Sequence, residues 1–118
     1  MKVVGQEEVE LIKLLGHVNS FNKRLVEKSV GARNIEVALG IAEANAICGM
    51  HYHPEAEQVL SMLEGVLRIR GENSEEIEFE KGMAMYIPLD EGPQPYNSTQ
   101  SRSIYLVINL PPVSTRMQ

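Results

Sequence analysis

The amino-acid sequence predicts an all-β fold, a barrel or sandwich of short strands, and three observations carry that expectation. From Asn34 onward Ile35, Val37, Leu39 and Ile41 alternate with Glu36, Ala38, Gly40 and Ala42, which is the two-residue period of a half-buried strand. Further strand-like runs follow at 58–63, 65–70, 76–80, 83–88 and 103–110. Turn-forming residues separate these runs: Gly49, Pro54, the segment from Gly71 to Ser74, Lys81 with Gly82, and the stretch from Asp90 to Pro93. Many short strands with Gly or Pro between them are the signature of a barrel or sandwich.

Taken in order, the chain begins with a stretch of different texture. Between Gln6 and Leu15 the apolar residues Val9, Leu11, Ile12, Leu14 and Leu15 fall roughly at helical spacing, and Gly16 stands where a helix C-cap would. A short N-terminal helix is therefore expected, with an edge strand as the alternative. The strand pattern then runs to Leu110, where Pro111 and Pro112 end it, because proline cannot donate to a ladder. No internal repeat, low-complexity tract or linker interrupts it. The expected organisation is one domain over residues 1–118, with a barrel core from about 34 to 110.

Composition narrows the function classes. The 118 residues are 43% hydrophobic and 23% charged, as in ordinary globular domains. A formal net charge of -5 disfavours nucleic acid and anionic lipid as partners. No apolar run approaches the roughly 20 residues that span a bilayer, and the N-terminus lacks the layout of a signal peptide. The single cysteine, Cys48, has no internal disulfide partner, which fits a reducing compartment. The expected localisation is cytoplasmic.

The segment that carries chemistry reads Gly49, Met50, His51, Tyr52, His53, Pro54, Glu55, Ala56, Glu57, Gln58 and continues to Gly65. On an extended chain residues two apart share a side, so His51 and His53 project together while Tyr52 faces away. Two adjacent imidazoles suit a borderline divalent ion such as Zn, Mn, Fe, Ni or Cu. A third ligand must come from beyond the pair, and Glu57 and Gln58 stand next in line.

This segment resembles the first motif of the cupin family, in which a glycine and an H-x-H pair lead to an acidic or amide ligand, followed by another glycine. Counted back from Gly65, that ligand position is Gln58, with Glu57 the alternative by a one-residue shift. The second cupin motif has a counterpart in Gly82, Pro88 and Asn97, but Pro93 occupies the place where the family keeps its last histidine. Gln94 and Tyr96 are the neighbouring polar groups. The resemblance covers residues 34 to 110 and implies a jelly-roll barrel, commonly a homodimer, with its site inside.

Other residues carry less information. Met62 shares the parity of Gln58 and Leu60 and should point inward, as core or as cavity wall. His17 lies outside both motifs and reads as surface or satisfied core. The acidic group Glu72, Glu75, Glu76, Glu78 and Glu80 reads as a solvated face.

Two function classes fit. In the first, one divalent ion held by His51, His53 and Gln58 acts as a Lewis acid on a small keto or sugar-acid molecule, in isomerase, epimerase or lyase chemistry. In the second, the same pocket binds or senses a small molecule without turnover. No other catalytic constellation stands out.

Overall fold

The computed structural model describes residues 1–49 and 55–113. Nine strands among these residues pair throughout in antiparallel fashion and form a nearly closed barrel. They are β1 (Leu11–Lys13), β2 (Val18–Val26), β3 (Glu36–Ile47), β4 (Glu57–Glu64), β5 (Val66–Arg70), β6 (Glu76–Glu80), β7 (Ala84–Ile87), β8 (Gln94–Tyr96) and β9 (Ser103–Leu110). Hydrogen-bonded neighbours run β6-β5-β8-β3-β9-β4-β7, with β2 along the other edge of β3 and β1 outside β2.

Of the two N-terminal expectations the edge strand is the one that forms: a single 3-10 turn at Gln6–Glu8 leads into the short strand β1. Leu11, Ile12 and Lys13 pair with Lys23, Asn22 and Phe21. Backbone bonds to a neighbouring strand outweigh a short, ambiguous apolar pattern. Of the apolar residues there, Leu14 is buried while Leu11 and Leu15 are exposed.

The sheet also starts earlier than Asn34, because β2 pairs with β3 along most of its length. Residues that face each other across antiparallel strands share a side, so the register defines interior rows. One row is Asn22, Gly40, Tyr105 and Met62; the next is Arg24, Ala38, Val107, Leu60 and Met85; a third is Glu36, Asn109, Gln58 and Ile87. Leu67, Ile69 and Phe79, from β5 and β6, close the core against them.

Space inside is tight. A Cβ built on Gly40 would lie 2.3 Å from the Tyr105 ring, so the ring can only lie there over a glycine. Gly65 makes the β4–β5 turn at φ +86, a left-handed conformation that glycine adopts without a Cβ penalty. Beyond β9 the chain turns back, and Val113 is fully buried.

Candidate functional site

A cavity of about 70 Å³, measured by where the centre of a water molecule fits, opens between β2, β4, β7, β8 and β9 and the chain just beyond β3. One water needs roughly 10–15 Å³ on that scale, so the space takes a small organic group. Leu60, Ile87, Pro93, Pro95 and Val107 supply apolar wall, and Asn22, His17, Cys48, Gln58 and Tyr105 supply the polar groups.

Gln58 enters the cavity because strand parity turns it inward with Leu60 and Met62, both buried. Its amide is held from behind. Gln58 Nε2 donates to Asn109 Oδ1 at 2.7 Å, and Asn109 Nδ2 donates to Glu36 Oε1 at 2.8 Å. The Val113 backbone N–H donates to the same carboxylate oxygen at 2.7 Å. Because a carboxylate accepts, Asn109 must present its nitrogen to Glu36 and its oxygen to Gln58. That polarity fixes the Gln58 amide, with its nitrogen toward Asn109 and its Oε1 as the acceptor turned elsewhere.

A second group sits on the Asn22 side. His17 Nδ1 lies 3.3 Å from Ser20 Oγ, and Ser20 Oγ lies 3.6 Å from Cys48 Sγ. Cys48 Sγ is in turn 3.6 Å from the Tyr105 hydroxyl. Burial pushes the Cys48 thiol up, with its hydrogen bonds to Ser20 and Tyr105 opposing. Burial likewise holds the Tyr105 phenol well above its ordinary value, aided by the neighbouring Cys48. Both groups are therefore neutral at physiological pH.

His51 and His53 lie outside the described residues. Gly49, just before them, and Gln58, just after, both line the cavity. Glu57 faces the opposite way from Gln58: it is exposed and accepts a hydrogen bond of 2.8 Å from the Tyr86 hydroxyl. Met62 is core rather than cavity wall. On β8 the residues alternate, with Pro93 and Pro95 lining the cavity and Gln94 and Tyr96 on the other side. Tyr96 donates to Glu76, and Arg70 lies 5.3 Å from its ring centroid. Gln94 and Tyr96 are thereby removed from the cavity, because the two prolines take the inward positions.

Asn97, which matches the closing residue of the second motif, is structural. Its amide nitrogen reaches the carbonyls of Ala42, Glu43 and Ser101, and its oxygen accepts from Thr99. Among the described residues no three His, Cys, Asp or Glu side chains converge as a metal-binding group. Of the implied ligands, Gln58 is at the cavity with a fixed amide and fits the role of an oxygen donor.

Nothing in the sequence reading marks Asn22, Tyr105 or His17 as cavity residues. A polar residue within an otherwise apolar strand face is a readable signal for Asn109 on β9, but Asn22 lies between Ser20 and Arg24 on a polar face and offers none.

No protein-family profile matches the chain, and no curated protein matches it. Solved structures do match, and the three that follow do so at identities that speak for fold alone. A polyketide cyclase, RemF, from Streptomyces resistomycificus superimposes with a TM-score of 0.85 at 21% identity, covering 93% of this chain and 79% of that one. A sugar phosphate isomerase of the cupin superfamily from Silicibacter pomeroyi gives 0.82 at 20%, covering 94% and 76%. KdgF from a Halomonas species gives 0.82 at 12%, covering 99% of both chains. The fold is the cupin jelly-roll barrel.

Proposed function

We propose that this cupin-fold chain binds one divalent metal ion through His51, His53 and Gln58 and acts with it on a small polar molecule. The observation that carries this reading is the Gln58 amide, oriented by Asn109 and Glu36, at a cavity that begins again at Gly49. A buried carboxylate and two amides in series are an expensive way to hold a glutamine unless its free oxygen has work to do. When bound, the ion would supply Lewis-acid stabilisation of a developing oxyanion on a carbonyl-containing substrate. The chain's own residues do the rest. Leu60, Ile87 and Val107 exclude water from the substrate, and Gln58 accepts from or orients whatever lies against it. The cyclase and the sugar phosphate isomerase among the similar structures are both named for small-molecule chemistry, which supports the substrate class.

The alternative reading is a binding or sensing barrel without turnover, and one observation favours it. Pro93 lines the cavity at the place where the family keeps its last histidine, and proline offers no donor atom there. The proposed assembly is a homodimer, supported by an apolar outer sheet face built from Val37, Ile41, Ile104, Leu106, Ile108 and Val59, all only half-buried in one chain.

Calorimetric titration with Zn or Mn tests the metal reading. His51→Ala and His53→Ala should each abolish binding, Gln58→Ala should weaken it, and Pro93→His should tighten it by about tenfold. Binding should also fall at mildly acidic pH, because imidazole ligates only when neutral. Full metal content in both histidine variants would remove the site from this cavity.

A further inference from the structure

Asn22 is 4% exposed, lies on the interior row with Gly40 and Tyr105, and lines the cavity. Among the described residues its side-chain amide meets no hydrogen-bonding partner. The contrast with the other buried amides is sharp. Asn97 uses both ends of its amide in five hydrogen bonds. Asn109 uses both ends in two. A buried amide left without partners costs about 1–3 kcal/mol, so a sequence that keeps one inside a barrel keeps it for what enters the cavity.

The surroundings say what can enter. Among the described residues lining this cavity none is Lys, Arg, Asp or Glu, and the imidazole of His17 is turned to Ser20. Arg24, on the next row, lines a separate, smaller space that Asn22 also borders, with Glu36 and Asn109. Tyr105, on the same row, is neutral, as is Cys48 beside it. In the metal-free protein an anion brought to this end would lose its water with no Lys or Arg among the described lining residues to receive it, which is costly. The Asn22 amide instead offers a donor and an acceptor side by side, which match a neutral group carrying an acceptor and a donor of its own.

We infer that Asn22 is a ligand-recognition residue, and that its end of the cavity takes a neutral carboxamide or enolised-ketone head in preference to a carboxylate or phosphate. This rests on the reading of the cavity as a small-molecule site and narrows its ligand class. It does not depend on the metal, because the row of Ala38, Val107 and Leu60 separates the Asn22 row from the Gln58 row.

Benzamide and benzoate test it, being alike in shape and different in charge and donors. Binding of each to chelator-treated protein is followed by the chemical shifts of cavity amides. Benzamide should bind about tenfold or more tightly than benzoate, a difference of the size one well-made hydrogen bond supplies. Asn22→Leu should lose about tenfold in benzamide affinity while melting no lower than the wild type, since it deletes an unpaired amide. Benzoate binding as tightly as benzamide, no benzamide binding at millimolar concentration, or unchanged affinity in Asn22→Leu would each overturn the assignment. If benzamide binds as expected and the metal titration fails, only the metal reading falls.

Discussion

Along β3 the inward face carries Glu36, Ala38, Gly40 and Ala42, whereas the outward face carries Val37, Leu39 and Ile41. Across the sheet the inward neighbours are large: Tyr105 and Met62 beside Gly40, Val107 and Leu60 beside Ala38. Outward neighbours of Val37 are Ile108, Val59 and Tyr86, and those of Leu39 are Leu106, Ser61 and Ala84. On β3, therefore, bulk sits outside and small or polar residues sit inside, where they face the large core residues of β9 and β4. The inward face is small because a narrow barrel must leave room for the Tyr105 ring and for a cavity. The outward residues Val37 and Ile41 are large and only half-buried, the surface that the proposed homodimer would cover. Two faces of one sheet are thus under different constraints, one of volume and one of coverage.

The largest expected effect breaks the inward face. Gly40→Ala places a methyl against the Tyr105 ring and should cost about 3 kcal/mol or more, since the backbone on both sides is fixed by paired strands. Adding Tyr105→Leu should return part of that loss, a coupling visible in denaturant melts. If Gly40→Ala melts like the wild type, the ring does not lie over Gly40.

Asn109→Leu comes next. It strips Glu36 of one hydrogen bond and Gln58 of another, and should cost about 2 kcal/mol. Glu36→Gln keeps the shape and should cost less, but it removes the reason for Asn109 to present its nitrogen inward. Gln58 would then be free to flip, so Glu36→Gln should weaken metal binding more than it weakens the fold. Equal effects on both would reduce the chain of three residues to a packing device.

On the outward face Leu106→Asp should leave the monomer folded and disrupt association. A charge in the centre of an apolar interface costs about 2 kcal/mol or more of binding, enough to move the sedimentation profile toward monomer at micromolar concentration. A wild type that is already monomeric at that concentration would show that the face is covered some other way.

These two faces also explain what was legible in the sequence. The alternation of β3 and β4 was plain, and parity alone placed Gln58, Leu60 and Met62 on one side. Lys81 and Gly82 marked a strand end well, whereas Gly65, read as the first residue of the run 65–70, is the turn itself. The strand β2 was not visible, because its inward residues Ser20 and Asn22 are polar and its outward ones mix Phe21 with Lys23. The strand β8 was hidden by Pro93 and Pro95, which argue against a strand by themselves. In the candidate site the first motif was readable as spacing. Tyr105, Asn109 and Glu36 were not, because their roles exist only across strands far apart in the chain. Lys23 shows the same limit, reaching the Gln6 carbonyl at 3.1 Å from a residue that reads as plain surface charge.

The smallest expected effect is a pH dependence on the cavity side. Cys48 titrates higher in the folded chain than in the unfolded one, chiefly through burial. A group that holds its proton more tightly when folded gives stability that is complete below its unfolded value and is lost as pH rises from there. The unfolded thiol titrates near 8.5, so stability should begin to decline above about that pH. Tyr105, shifted the same way, adds its own loss only above the ordinary phenol value of about 10. Cys48→Ala removes the first of these and should move the onset of decline up toward the tyrosine range, at the expense of a small cavity. Melting curves of both proteins across this range make the comparison. Parallel decline from the thiol range in wild type and variant would mean that a different group governs alkaline stability.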